Sequence, residues 1–368
     1  MKIPGARPSF SKEDINEIVS QVTKSLESGI LSSSTNVKEF EKQFSNYVGQ
    51  KYPIATNSGT SALEASVRAL DIKNSEIIVP TNTFIASPNS IINSGNIPVF
   101  ADMEEDSFAI NLGSVREKIT KNTKAVMVVH IAGLVHPKIE ELKEFCKEKG
   151  LYLIEDCSHV EGAELGNKKA GTFGDVSCFS FYATKVMTSG EGGIVLTNNE
   201  EIYNRGRMFI SHGRNFQSDQ EEYIEVGTNL RMSELNAIVG LQQLKHLEEF
   251  IKKRNEIVKT LKEKLQGLLT FQVHPSNAKH SYYKLLGVHQ KETLDLIKTM
   301  RSKYEIEVAS LYYPPCHLQP VYRKLGHKEG ECPVAENVLK RLIALPIFVD
   351  MTEEQMDFLS SSIKKELA

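Results

Sequence analysis

At 368 residues the chain is long enough for one large α/β domain and a smaller one, and 44 Lys+Arg against 47 Asp+Glu leave a formal net charge of -3. With no long run of Lys and Arg, neither nucleic acid nor an anionic membrane is an expected partner. No stretch of about 18 apolar residues is present to span a bilayer, and MKIPGARPSF lacks the apolar core of a signal peptide, so a soluble cytoplasmic protein is expected.

After a polar, proline-containing start, VKEFEKQFSNYVG places Val37, Phe40, Phe44 and Val48 at helical spacing and stops at Gly49. Short apolar runs bounded by turns follow: EIIVP (76–80), IPVFAD (97–102), KAVMVVH (124–130) and LYLIED (151–156). They alternate with the amphipathic segments SALEASVRAL and PKIEELKEFCKEKG. That alternation predicts an α/β fold whose buried, mainly parallel sheet lies between helices. From about residue 232, SELNAIVGLQQLKHLEEFIKKRNEIVKTLKEKL reads as one long amphipathic helix, leaving a large domain (1–245) for a smaller α+β C-terminal domain (246–368). The smaller domain is expected to hold a strand in YYKLLGVH, helices in ETLDLIKTMRSKY and EEQMDFLSSSIKKEL, and the proline-rich loop YYPPCHLQP. Neither an internal repeat nor a low-complexity tract is present. Cys146, Cys157, Cys178, Cys316 and Cys332 show neither CxxC spacing nor an even count. Reduced thiols are therefore expected rather than a disulfide frame or a metal site, the first three serving as small core residues.

In an open α/β sheet, ligands bind beyond the carboxyl ends of the strands, and three segments there can carry chemistry. In ATNSGTSALEASVRAL, Asn57, Ser58, Gly59, Thr60 and Ser61 run straight into a helix. Backbone N–H groups, small hydroxyls and a glycine make an anion cradle suited to phosphate, or else a plain helix N-cap. LYLIEDCSHVEGA ends an apolar strand at Glu155 and Asp156, with His159 three residues on. A buried carboxylate needs a cationic partner, which a protonated ring nitrogen would supply; the alternative is that Asp156 caps the next helix and His159 is a satisfied core histidine. In FSFYATKVMTSGEGGIVLTN, Lys185 stands between an aromatic run and a glycine-rich turn, with Ser180 five residues before it. Gly190, Gly192 and Gly193 fit a tight turn against a bulky cofactor but follow neither the dinucleotide nor the Walker A order. A solitary lysine is ordinarily solvated. A phosphate cradle, an aspartate able to keep a ring nitrogen protonated and a lysine able to form a Schiff base are together the parts that pyridoxal 5'-phosphate needs.

Through GILSSSTNVKEFEKQFSNYVG, NSGTSAL, IIVPTNTFIASPNSIINSGNIPVFAD, EDCSHVEGA, SFYATKVMTSGEGGIVLTN, GTNLRMSELNAIVGLQQL and YYPPCHLQPVY, the sequence resembles the DegT/DnrJ/EryC1/StrS sugar aminotransferases over nearly its whole length. These are fold type I pyridoxal-phosphate enzymes. The resemblance implies that Lys185 carries the cofactor, that Asp156 pairs with the pyridinium nitrogen and that His159 lies near the ring's phenolic oxygen. It likewise implies that Thr60, Ser61 and Ser180 hold the phosphate, that Gly59 shapes their loop and that Phe84 covers the ring. Asn229 would reach the phosphate of a neighbouring subunit, making a homodimer with composite active sites. Arg231 would either orient a substrate carboxylate or brace its loop. The implied reaction moves the amino group of L-glutamate, by way of pyridoxamine 5'-phosphate, onto C3 or C4 of a nucleotide-linked keto-sugar, giving a nucleotide-linked amino sugar. His212, Tyr313 and His317 are candidates to line the sugar or nucleotide site, each with a structural role as its alternative. Relatives that replace the lysine with histidine dehydrate their sugar, and this chain keeps Lys185. Amination of a cyclitol ketone, sugar dehydration despite the lysine, and a catalytically silent cofactor-binding regulator stand as the alternatives.

Overall fold

A computed structural model describes residues 1–367. Before residue 200 lie β1 (Tyr52–Thr56), β2 (Glu76–Pro80), β3 (Ile97–Ala101), β4 (Thr123–Val129), β5 (Tyr152–Asp156), the two-residue β6 (Glu164–Leu165) and β7 (Lys168–Lys169), β8 (Val176–Ser180) and β9 (Gly193–Thr197). Seven of them form one sheet in the order β1-β9-β8-β5-β4-β2-β3. Every pairing is parallel except the two made by β9, which runs antiparallel between β1 and β8.

The apolar runs of the sequence are continuous because both faces of this sheet are covered. In β4, Ala125, Met127 and Val129 enter one core while Val126 and Val128 enter the other. Numbered along the chain, the helices are α1 (Lys12–Ser28), α2 (Thr35–Val48), α3 (Gly59–Ala69), α4 (Ala86–Asn93), α5 (Leu112–Lys118), α6 (Ile139–Lys149), α7 (Glu200–Phe209), α8 (Glu234–Lys245) and α9 (Leu247–Lys264). The first core takes Leu63 of α3, Ile91 of α4 and Phe209 of α7. The second takes Phe40 and Phe44 of α2, Val115 of α5 and Leu142 of α6. The five cysteines are buried free thiols, and among the described residues no helix is long and apolar enough to cross a membrane.

Three features differ from the sequence expectation. The single helix expected across 233–265 breaks at His246, whose backbone leaves helical geometry at φ -103° and ψ 0° and whose ring bonds Asp14 at 2.9 Å. The polar start contains α1, closed by a reciprocal capping box between Ser11 and Asp14. Finally, β10 (Thr270–Phe271), β12 (Leu285–Val288) and β13 (Leu342–Leu345) form an antiparallel sheet over a third core, while β11 (Ala278–Lys279) pairs with β6. That third core includes Ile3, although the residues before α1 were expected to belong with the large domain. The chain from Leu311 to Leu342 meanwhile returns to the first core through Cys316, Tyr322 and Leu339.

Candidate active site

The carboxyl ends of β5 and β8, the N-terminus of α3 and the loop before α4 surround a cavity of about 390 Å³, a size suited to a small ligand. It brings together Gly59, Thr60, Phe84 and Ser180 with Asp156, His159 and Lys185. Close approach explains two of its glycines. A Cβ on Gly59 would lie 2.5 Å from Ser180 Cβ, and one on Gly193 would lie 2.4 Å from Ser58 O. The first turn of α3 can therefore sit against the ends of β8 and β9 only without those side chains. The N–H groups of Gly59 and Thr60 belong to that turn and have no intrahelical acceptor, which makes this end of the cavity an anion cradle. Ser58 caps the helix through Ser61 N–H at 3.1 Å.

Asp156, 3% exposed, lies on the cavity floor. Its Oδ2 accepts the Ser87 hydroxyl at 2.7 Å and its Oδ1 accepts Ser158 N–H at 3.1 Å. Both donors are neutral, and among the described residues no lysine, arginine or histidine forms an ion pair with it. A buried carboxylate so placed suits a cationic ring nitrogen in the cavity. Lys185 hangs from the turn between β8 and β9, where Lys185 N–H bonds Tyr182 O at 2.9 Å and Ser189 N–H bonds Phe181 O at 2.9 Å. Its ammonium lies 4.6 Å from the centroid of the Tyr283 ring and forms no ion pair with any carboxylate among the described residues. Burial opposes ionisation of Tyr283, but the Lys185 and Lys284 charges outweigh it and hold the phenol below its ordinary value. Phe84, 58% exposed, stands at the cavity's lip as an apolar face for a bound ring to cover. Phosphate cradle, unpaired carboxylate and unpaired lysine thus share one cavity, and these residues fit pyridoxal phosphate.

His159 is built in from several sides. Its Nδ1 accepts Ala132 N–H at 3.3 Å, and its Nε2 lies 2.9 Å from the Tyr312 hydroxyl. Its ring stacks on Tyr283 at 4.4 Å, and its carbonyl accepts the Ser281 hydroxyl at 3.2 Å. Burial, then the Lys185 and Lys284 charges, hold its pKa well below the usual histidine value, so the imidazole is neutral.

Other sequence candidates fall elsewhere. Ser61 does not line the cavity, because its hydroxyl is drawn to Asn57 Oδ1 at 2.6 Å and its N–H to Ser58. Asn229 is exposed and outside the cavity of its own chain. Arg231 and His212 line a second cavity, beside Phe216 and Tyr223. His317 is fully buried and braced between Thr81 Oγ1 at 2.6 Å and Glu336 Oε1 at 2.9 Å, so it anchors the 312–320 loop and does not face a ligand. Of the Tyr312-Tyr313 pair it is Tyr312 that lines the cavity, in place of the expected Tyr313. Tyr283 was likewise not singled out in the sequence.

Residues 12–364 match the DegT/DnrJ/EryC1/StrS aminotransferase family. The chain is 34% identical over 371 residues to the GDP-perosamine synthase of Escherichia coli O157:H7, covering 99% of this chain and 98% of that one. It is 30% identical over 356 residues to the UDP-N-acetyl-3-dehydro-alpha-D-glucosamine 3-aminotransferase of Acidithiobacillus ferrooxidans, covering 96% and 94%. Among solved structures it superposes on Helicobacter pylori PseC, an aminotransferase involved in the biosynthesis of pseudoaminic acid, with a TM-score of 0.92 and 27% identity over 100% of this chain and 99% of that one.

Proposed function

The chain belongs to the DegT/DnrJ/EryC1/StrS aminotransferase family and is a sugar aminotransferase, and on that premise we propose that it moves the amino group of L-glutamate onto the ketone, at C3 or C4, of a nucleotide-linked keto-deoxysugar, with pyridoxal 5'-phosphate bound in the Lys185 cavity. The observation that carries this reading is the pairing of an uncompensated buried carboxylate, Asp156, with an uncompensated ammonium, Lys185, in one cavity that opens onto a helix N-terminus. Relatives named for GDP- and UDP-linked sugars support a nucleotide-linked substrate.

When bound, the cofactor supplies an electron sink for the carbanion formed as the donor loses its Cα proton. The N-terminus of α3 and Ser180 hold the phosphate, with N–H dipoles directed at the negative charge. Asp156 would keep the ring nitrogen protonated, and its hydrogen bonds from Ser87 and Ser158 fix its direction. Lys185 would hold the cofactor as a nucleophile, and its free amine would serve as the positioned general acid/base at the donor's Cα. Phe84 and Tyr182, exposed at the lip, screen the ring from water and offer flat faces to a sugar. A second copy of the chain completes the site by bringing its Asn229 to the phosphate.

The test is a visible spectrum of the purified protein with added pyridoxal phosphate, before and after L-glutamate. A band that forms with the cofactor and bleaches with glutamate is expected. Lys185→Ala should lack the band, retain the far-ultraviolet dichroism of the fold and lose turnover by on the order of 10³-fold. A Lys185→Ala protein with near-native turnover would sink the mechanism, and a band indifferent to glutamate would remove glutamate as the donor.

A further inference from the structure

Tyr312 is held by strained backbone. Its φ is 63°, in the left-handed region where a bulky side chain is rare. Two more residues of the same neighbourhood share this region: Ala132 at φ 61°, whose N–H reaches His159, and Tyr282 at φ 47°, next to the Tyr283 that stacks on His159. Ser281 N–H donates to Gly133 O at 3.0 Å and Lys284 N–H to Ala132 O at 3.2 Å, tying the two strained segments together. Strain of this kind persists where the surroundings over-determine it, and it clusters at functional sites. Tyr312 and Ala132 bond the His159 imidazole directly, and Tyr282 sets the backbone of the Tyr283 that stacks on it.

The direction of the hydrogen bonds follows from the donors present. His159 Nδ1 faces a backbone N–H and must accept, so neutral His159 carries its proton on Nε2. That proton points at the Tyr312 oxygen, 2.9 Å away. Tyr312 therefore accepts from His159, and its own proton is left for another partner. Burial holds the phenol well above its usual pKa, so it keeps that proton. Tyr312 lines the cavity that contains Asp156 and Lys185.

We propose that Tyr312 is the hydrogen-bond donor of this cavity to the electron-rich ring oxygen of the bound cofactor, and that His159 acts as a positioning residue that orients the tyrosine. Both nitrogens of His159 are already engaged within the protein, so the expected direct contact of His159 with that oxygen gives way to a contact through Tyr312. The inference rests on the cofactor reading given above.

Two measurements test it. In cofactor-free protein carrying ¹⁵N-labelled histidine, His159 is expected as the Nε2–H tautomer across neutral pH; an Nδ1–H tautomer would turn the Tyr312 proton back to the ring and overturn the proposal. With pyridoxal phosphate added, Tyr312→Phe retains the aromatic ring and removes only the donor. It is expected to raise the pH midpoint of the visible band by about one unit, a tenfold change, because more charge stays on the ring oxygen to hold the neighbouring proton. The titratable groups that face the pair, Lys185, Lys284, Tyr283, Asp156 and Cys316, are unchanged in that variant. An unmoved midpoint in a folded Tyr312→Phe protein overturns the assignment alone. If the wild-type chain gains no lysine-dependent band, the cofactor reading fails and takes the ring-oxygen assignment with it.

Discussion

Glu161 lies two residues beyond His159, fully buried, and among the described residues neither carboxylate oxygen has a hydrogen-bond partner. Burial pushes its carboxyl up to about 8 from an ordinary 4.5, with the Lys185 charge pulling the other way. A carboxyl whose folded value is raised binds its proton more tightly in the native state. Its contribution to stability is complete below the unfolded value and fades as pH rises toward the folded one, the reverse of a salt-bridged acid. Glu161→Gln keeps the shape without the titration. The melting temperature of the cofactor-free variant is expected to fall less than that of the wild type between about pH 5 and pH 8. Parallel melting curves for the two proteins across that range would mean that the acid is satisfied in solution. At this scale the sequence was readable where a charge interrupts an apolar frame, as at Asp156 and Lys185. It was not readable at the doublets Tyr282-Tyr283 and Tyr312-Tyr313. There, positive φ values at Tyr282 and Tyr312 choose which ring enters the cavity, and irregular backbone has no period from which that choice can be counted.

Among elements, α2 begins without a side-chain cap from its own Ser34. The first residue of α8 supplies one instead. Glu234, 1% exposed, accepts N–H groups of Ser34 at 2.7 Å, Asn36 at 2.8 Å and Val37 at 3.1 Å, together with the Asn36 side-chain amide at 2.9 Å. A carboxylate at a helix N-terminus matches both the orphan donors and the dipole. The glutamate of the NLRMSEL run is thus an architectural residue within one of the segments that carry the family resemblance. Glu234→Ala strands the buried Val37 N–H and the half-buried donors of Ser34 and Asn36, and is expected to destabilise the fold by about 3 kcal/mol, read as a lower urea midpoint at unchanged slope. A midpoint within error of the wild type would show that water replaces the cap. The elements that sequence reading recovered, such as β2 at 76–80 and the C-terminal helix Glu353–Leu367, present their apolar residues inward. Helix α1 inverts that arrangement: Ile15, Ile18, Val19, Val22 and Leu26 recur at helical spacing, a signal passed over in the polar start, yet Ile15, Val19 and Leu26 face out while Asp14 and Ser25 are buried.

That inversion matters for the whole molecule. Exposed apolar side chains gather on α1 and the turn after it, including Val19 at 58% and Ile30 at 50%, and on the 216–226 segment, where Tyr223 is 55% and Val226 94% exposed. The two regions adjoin. Glu234 N–H bonds Leu31 O at 3.0 Å, and Ser33, Phe216, Tyr223 and Arg231 line one cavity between them. Apolar surface of this kind is normally covered, and Asn229, exposed beside it, stands outside the cavity that holds Lys185 in its own chain. The proposed second copy accounts for both observations. The paired substitution Ile224→Asp with Val226→Asp places charge on the face while leaving Lys185, Asp156 and the α3 cradle untouched. It is expected to convert a dimer to a monomer in sedimentation, and to weaken retention of pyridoxal phosphate by on the order of tenfold or more as the partner's contact with the phosphate is lost. A variant that becomes monomeric yet retains the cofactor undiminished would separate assembly from the active site and exclude the composite arrangement. A wild-type protein that sediments as a monomer would exclude the second copy altogether.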